Sequence, residues 1–507
     1  MRHQVVTVVD FGGQYTQLIA RRARECGVFS EVVPWQQASS HIQQQRPDAI
    51  VLSGGPRSTI EPGAPDFDFS LAEGIPMLGI CYGMQLMSLR LGGEVEPTKE
   101  REYGRQKLQW MEPDSLASEL DGPVWMSHGD RVLSIPPGFT KTGSTQACPF
   151  AAMEDRDRRW VGVQFHPEVS HTQGGRDFLR RFFRETAGLR GDWTTRAFIE
   201  EASEDVRTRV AGRKVLCAVS GGVDSSVAAA LVTRAIPGQV TCVFVDHGLL
   251  RKGEKEQVER MFTEIVHPKL IVIDASDQFF RELHGVTDPE EKRKRIGAEF
   301  VRSFEGHREE FAECEVLIQG TLYPDVVESG SQTAAKIKTH HNVGGLPDWM
   351  RMEVLEPLCW LFKDEVRAVG RELGLPPEVV DREPFPGPGL AVRILGEVTR
   401  ERVHMVQEAD AIFRDELAAS GASARIWQSY AALLDVRSVG VMGDSRTYEH
   451  PIVLRAVESE DAMTAKASPL EFELLEHVAT RIVNEVEGVN RVLYDLTSKP
   501  PATIEWE

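Results

Sequence analysis

An apolar run, Val215-Leu216-Cys217-Ala218-Val219, stops at Ser220-Gly221-Gly222-Val223-Asp224-Ser225-Ser226, and a second opens at Val227-Ala228-Ala229-Ala230-Leu231. A buried strand that runs into a small-residue loop and straight on into an apolar helix commits its surroundings to an α/β arrangement. Glycines let the main chain approach a ligand closely, and the helix N-terminus carries partial positive charge, so the loop suits a polyphosphate. An ordinary tight turn would not require an aspartate and three serines in seven residues. The loop also lacks the Gly-Lys-Ser/Thr ending of the common nucleotide loop. Ser220, Gly221, Gly222, Val223, Asp224, Ser225 and Ser226 therefore form a candidate ATP site, with Asp224 placed to hold Mg²⁺ against the phosphates.

The 507 residues suffice for two to four domains with full cores, and the 41% apolar and 27% charged composition is that of a globular protein. A formal charge of −19 disfavours sequence-independent nucleic-acid binding, which needs clustered cations. The one compact cationic tetrad, Lys292-Arg293-Lys294-Arg295, fits either a solvated helix face or a small-anion site. The cysteines, at 26, 81, 148, 217, 242, 314 and 359, form no CxxC pair, so neither a zinc nor a dithiol site is indicated. Unpaired cysteines, an apolar run at 5–9 too short for a signal peptide and the lack of any spanning-length stretch lead us to expect a cytosolic protein without a membrane partner.

Apolar runs at 5–9, 49–52, 76–80 and 160–165 read as strands, with helical spacing at 14–26 and 82–91 between them. The pattern breaks near Gly188-Leu189-Arg190-Gly191, where a boundary is expected. A second α/β unit follows, with a helix at 193–209 and strands feeding the Ser220 loop and at 240–246, 270–274 and 316–319. The Pro/Gly-rich Pro384-Phe385-Pro386-Gly387-Pro388-Gly389 opens a third region, with a helix at 402–419 and strands near 436–442 and 453–457. The expected domains are 1–190, 191–384 and 385–507.

A second chemistry sits in the first domain. Gly79-Ile80-Cys81-Tyr82-Gly83 follows a strand and opens a helix, the geometry of a nucleophile elbow with cysteine in place of serine. Flanking glycines tolerate the sharp turn, and the helix N-terminus favours thiolate. Gly162-Val163-Gln164-Phe165-His166-Pro167-Glu168 supplies a base, His166, and a carboxylate two residues on; in extended chain the two would share a face. Backbone amides for an oxyanion would come from Tyr82 and from Gly55 in Ser53-Gly54-Gly55-Pro56.

These segments resemble class I glutamine amidotransferases, which implies Cys81 as nucleophile, His166 as proton shuttle and Glu168 as its support. It also places Gln85, His128 and Asp130 near a glutamine pocket. The Ser220 loop resembles those of enzymes that split ATP into AMP and pyrophosphate. Over its whole length the chain resembles the glutamine-hydrolysing GMP synthetase family. The matching segments are Lys292 to Gly297, Gly320-Thr321-Leu322-Tyr323-Pro324-Asp325, Lys338-Thr339-His340-His341-Asn342, Pro384 to Leu390, and the tail Ser498 to Glu507.

The resemblance implies a fold and a reaction. The fold is an open mixed, flavodoxin-like amidotransferase sheet, an adenine-nucleotide α-hydrolase-like domain bearing the ATP loop, and a smaller α+β C-terminal domain that forms a homodimer. The reaction adenylylates XMP at its C2 oxygen and aminates it to GMP, with glutamine, ATP and XMP as substrates and no organic prosthetic group. It implies XMP contacts at Arg293, Gln428, Asp444, Lys499 and Glu505. Lys336, Lys338, His340 and His341 read as a cationic lid or as an ordinary solvent loop. A different acceptor, or a silent binding protein on the same fold, are the competing readings. A tRNA-modifying enzyme fits an acidic chain poorly.

Overall fold

The computed structural model describes residues 3–111, 115–116, 120, 122–328, 352–459 and 464–507. The side chains of 99–101, 328 and 442 are outside that description. The chain forms two compact units, Met1–Phe198 and Ile199–Glu507.

The first unit is built on an eight-stranded sheet. Its parallel half runs in the order Phe29–Pro34, Val5–Asp10, Ala49–Leu52, Met77–Ile80, Trp160–Val163. Ala152–Asp155, Thr140–Ser144 and Gln109–Trp110 extend it antiparallel. The central strands are largely apolar, as suits a parallel sheet covered on both faces. Val8, Val9, Ile50, Leu52, Met77 and Leu78 are all fully buried. A separate ribbon pairs Glu94–Lys107 with Pro123–Ser134. The carboxyl ends of Ala49–Leu52, Met77–Ile80 and Trp160–Val163 deliver the Ser53 loop, Cys81 and His166 to one edge of the sheet, where functional loops of α/β proteins gather.

The second unit contains a five-stranded parallel sheet in the order Lys269–Asp274, Val240–Asp246, Lys214–Val219, Cys314–Ile318, Glu353–Leu355. It also holds a smaller sheet. There the long strand Ser445–Glu458 pairs antiparallel with Gln428–Leu433 and Ser438–Met442, and parallel with Val489–Tyr494. The helix Arg400–Ala419 backs it, started by Thr399, whose hydroxyl accepts from the Arg402 amide. The 14-residue strand Ser445–Glu458 exceeds the apolar run 453–457 that signals it, because its first half is a polar hairpin arm.

Two local expectations are corrected. The helix after the ATP loop begins at Val223, not at Val227, so Asp224, Ser225 and Ser226 occupy its first turn. There a carboxylate meets the helix dipole, and the Ser225 hydroxyl meets open backbone groups of the loop. The strand before His166 ends at Val163, and residues 164–168 form a bend and turn rather than extended chain.

His247, at the end of Val240–Asp246, is buried between Phe279 and Phe300, and its Nδ1 accepts from the Leu249 amide at 3.0 Å. Burial pulls the imidazole down to about 4, against the opposing pull of Glu254 and Asp246. The unfolded histidine takes its proton near pH 6.5 and the folded one only near 4, so between those values the unfolded chain binds more protons. Stability therefore falls as pH drops through that window. Between pH 7 and 4.5 the wild type should lose about 2–3 kcal/mol more than H247Q in urea unfolding. Equal losses would remove His247 from the account.

Candidate active sites

Cys81 sits between strand Met77–Ile80 and helix Tyr82–Arg90 at φ 52 and ψ −102, a region that costs a non-glycine residue free energy. The surroundings hold it there. The Cys81 amide donates to the Val163 carbonyl at 2.7 Å, and its carbonyl accepts from the Gln85 amide at 3.1 Å. A Cβ on Gly83 would lie 2.4 Å from the Leu52 carbonyl oxygen, and one on Gly79 2.8 Å from the Met84 nitrogen. Only glycines let strand and helix approach this closely.

His166 and Glu168 meet across the turn, with Nδ1 2.7 Å from Oε1 and both side chains buried. Burial pulls the imidazole down, but the Glu168 carboxylate and a hydrogen bond with Cys81 outweigh it and hold His166 well above its ordinary value. Tyr15 packs edge-on to the imidazole at 5.2 Å. The Ser53-Gly54-Gly55 loop lies against this pair. A Cβ on Gly54 would come 3.1 Å from His166 Cε1 and 3.9 Å from Cys81 Cβ, and one on Gly55 3.2 Å from Tyr82. Thiol, imidazole, carboxylate and the amide-bearing loop thus gather at one point, as acyl transfer requires.

Beside them, the Asp130 carbonyl accepts from Gln85 Nε2 at 2.9 Å and from His128 Nδ1 at 2.8 Å. Asp130 thus enters the structure through its backbone, not its carboxylate. His128 Nε2 lies 3.1 Å from Glu102, which also accepts from the Thr145 hydroxyl at 2.7 Å. Burial raises the Glu102 carboxyl, but those two hydrogen bonds outweigh it and hold the group below the usual range. Glu102, His128 and Cys148 lie close enough to ligate a cation. Glu102 is satisfied by its neighbours, and the Cys148 thiol, pushed up to about 12 chiefly by burial, donates to the Phe150 carbonyl.

In the second unit, Gly221 at φ 74 turns the loop and Gly222 caps the helix Val223–Ala235. Ser225 Oγ accepts from the Ser220 amide at 3.2 Å and donates to the Gly222 carbonyl at 3.1 Å, so the loop's own groups hold its shape. Ser226 is buried in the same turn. The Asp224 carboxylate receives Lys363 Nζ at 2.7 and 2.6 Å. Lys363 opens the helix Lys363–Glu372, where the dipole disfavours a cation, and the Asp224 pair offsets that cost. Arg382 braces the loop from behind, donating to the Gly221 carbonyl at 2.7 Å and to Glu254.

The tail is bound to the same unit. The fully buried Arg455 donates to the carbonyls of Ile504, Thr503 and Thr497 and pairs with Asp495. Glu505 accepts from Gln428 Nε2 at 2.7 Å and from the fully buried Arg393 at 3.0 Å. Arg293 donates to the Glu507 backbone and pairs with Glu290. Lys499 bridges Ala465 through its backbone.

Residues 7–186 match the family model "Glutamine amidotransferase class-I". Residues 415–506 match "GMP synthase C terminal domain", and 213–264 match "tRNA methyl transferase HUP domain". A GMP synthase [glutamine-hydrolyzing] of Parafrankia sp. is 57% identical over 99% of this chain and 96% of its own. That of Syntrophomonas wolfei is 55% identical over 100% of both. That of Streptomyces coelicolor is 56% identical over 99% and 98%. The chain belongs to the glutamine-hydrolysing GMP synthase family.

For a member of this family, the residues read from the sequence fall into groups. Cys81, His166, Glu168, Gly55 and Tyr82 come together, with Gln85, His128 and Asp130 adjoining through the Asp130 carbonyl. Ser220 to Ser226 form one continuous loop and first turn. Gln428 and Glu505 touch, and Arg293 holds the neighbouring end of the tail. Asp444 lies at the exposed turn of the 438–458 hairpin and hydrogen-bonds to none of those three among the described residues. Lys336, Lys338, His340 and His341 lie outside the described residues.

The cationic tetrad is not one anion patch. On the helix Pro289–Gly306, Lys292 points inward to the Ala391 and Ile394 carbonyls and Glu507, while Arg295 pairs with Glu291. Lys363 and Arg382 escaped the sequence reading. The run Phe362-Lys363-Asp364-Glu365 reads only as a helix start, and nothing in it reports the distant loop it faces.

Proposed function

We propose that the two sites divide one reaction, glutamine-dependent amination of XMP to GMP. At the first, the Cys81 sulfur attacks the glutamine side-chain amide carbon, and the Tyr82 and Gly55 amides hold the oxyanion. His166, supported by Glu168, gives a proton to the departing ammonia, and water then releases glutamate. Gln85, His128 and Asp130 shape the glutamine pocket. At the second, the XMP C2 oxygen attacks the ATP α-phosphorus and pyrophosphate leaves. Ammonia adds at C2 and AMP departs, the adenylyl group having turned a poor leaving group into a good one.

The Ser220–Ser226 loop and helix N-terminus cradle the phosphates. Asp224, a half-exposed carboxylate at that N-terminus, suits Mg²⁺, which binds through one or two carboxylates plus phosphate oxygens. Mg²⁺ would neutralise phosphate charge. Lys363, held at the loop by Asp224, would turn to a phosphate oxygen. Arg293, Gln428, Asp444, Lys499 and Glu505 form the XMP site, with Lys336, Lys338, His340 and His341 as its lid. Domain limits at 190/191 and 384/385 follow the chemistry.

Homodimerisation through the C-terminal sheet is supported by the edge hairpin, which exposes Val439, Val441 and Tyr448. Large exposed apolar residues gathered on one strand pair mark an interaction surface. Among the described residues no helix is long and apolar enough to cross a membrane, and we place the enzyme in the cytosol.

What supports this reading most is identity above 50% along essentially the whole chain to enzymes of this printed activity. The test is an acceptor screen with ATP and Mg²⁺, scoring AMP and aminated product. XMP should be the substrate turned over. Preferred turnover of another acceptor would overturn the assignment.

A further inference from the structure

We propose that Gln164 is a further catalytic residue of the glutamine-hydrolysing site, donating a side-chain N–H to the anionic sulfur of Cys81. The inference rests on Cys81 being the nucleophile. Gln164 is fully buried, and its Nε2 lies 3.5 Å from Cys81 Sγ.

The hydrogen-bond chain fixes which end of that amide faces the sulfur. It starts at the Asp130 backbone carbonyl, which can only accept. Gln85 must therefore present its NH₂ there, at 2.9 Å. The same NH₂ lies 3.2 Å from the Gln164 side chain, which must present its oxygen in return. The remaining end of the Gln164 amide, the donor, is the one at the sulfur. His128 holds the same carbonyl from its other side at 2.8 Å, so the root of the chain is itself fixed.

The sulfur needs such a donor. As a thiol it points at the Ser127 carbonyl, 3.7 Å away. Once the proton has gone to His166, that carbonyl dipole opposes the negative charge. A buried N–H to an anion is among the stronger hydrogen bonds, and the Gln164 side chain that supplies it is itself fully buried. Gln164 thereby offsets Ser127, and its contribution appears only as the sulfur becomes charged.

The test uses the full-length protein and follows iodoacetamide alkylation of Cys81 by peptide mass spectrometry from pH 6 to 10, with C81A as the control for site and for glutamine hydrolysis. Q164M removes the donor, and Q164E replaces it with a carboxylate. At pH 7 we expect labelling to slow about ten-fold in Q164M and on the order of 100-fold in Q164E. The deficit should close as pH rises, which a packing defect alone would not produce. If either variant lacks a cooperative unfolding transition, Q85L takes its place. It leaves Gln164 intact but frees its amide to turn over, and should show a smaller, equally pH-dependent deficit. Labelling profiles that coincide with wild type in the folded variants overturn the inference while leaving Cys81 as nucleophile. Glutamine hydrolysis surviving in C81A would instead overturn the reading beneath it.

Discussion

In C81A, glutamine-dependent GMP formation should fall by on the order of 10⁴-fold or more, while ammonium-dependent formation persists near the wild-type rate. Removing the nucleophile of a Cys-His-Glu constellation leaves no thioester route, and losses of this order accompany removal of nucleophiles that act as a unit with their base. Added ammonium bypasses the first site because the Ser220 loop and the tail-bound cluster lie in the second compact unit. H166A should reproduce the loss. E168Q should show a smaller one, on the order of 100-fold, because Glu168 acts through the 2.7 Å contact with His166. The measurement is steady-state GMP production under each nitrogen donor. Failure of ammonium to rescue C81A would break the division of labour between the sites.

Substitutions at the second site should behave in the opposite way, with no rescue. D224A should lower AMP and pyrophosphate formation by on the order of 10³-fold with either donor. K363M should lower ATP turnover by about 10²–10³-fold, the range seen when a fixed donor to developing charge is lost. The pairing of Lys363 with Asp224 sharpens the expectation. K363M strips the carboxylate of its counter-ion before ATP arrives, so the D224A/K363M double variant should fall short of the product of the two single effects. Both variants should retain the Cys81 alkylation profile of wild type. Strictly multiplicative losses would mean that the two groups act independently.

The parts of this architecture that the sequence declares are those where the backbone itself is constrained. Gly79 and Gly83 flank a cysteine at a strand tip, and a strand and helix that meet this closely leave no room for a Cβ, so the elbow is written in residue type. The Ser220 loop is legible for the same reason, since Gly221 holds a positive φ and serines satisfy the turn. His166 and Glu168 could be paired from their spacing, although a turn, not a strand, brings them together.

What the sequence conceals are partners brought together by folding across long separations. Lys363 meets Asp224 across 139 residues, and Arg382 meets Gly221 across 161. Neither stands in a motif. The tetrad misleads because adjacency in sequence is divergence on a helix, where consecutive side chains point about 100° apart. Lys292 accordingly becomes a buried anchor for the tail, while Arg295 turns to Glu291 and to the Glu282 carbonyl of the preceding helix. Gln164 was in view throughout, inside a recognisable run, but only the three-amide chain from the Asp130 carbonyl reveals which atom it turns to the sulfur.

The most direct test supplies XMP, ATP, Mg²⁺ and amide-¹⁵N glutamine to the purified protein and measures the exocyclic amino group of the product by mass spectrometry. The account predicts GMP carrying ¹⁵N at that position, with one AMP and one glutamate formed for each GMP. Glutamate released without any amination of XMP, and no GMP when ammonium replaces glutamine, would contradict it.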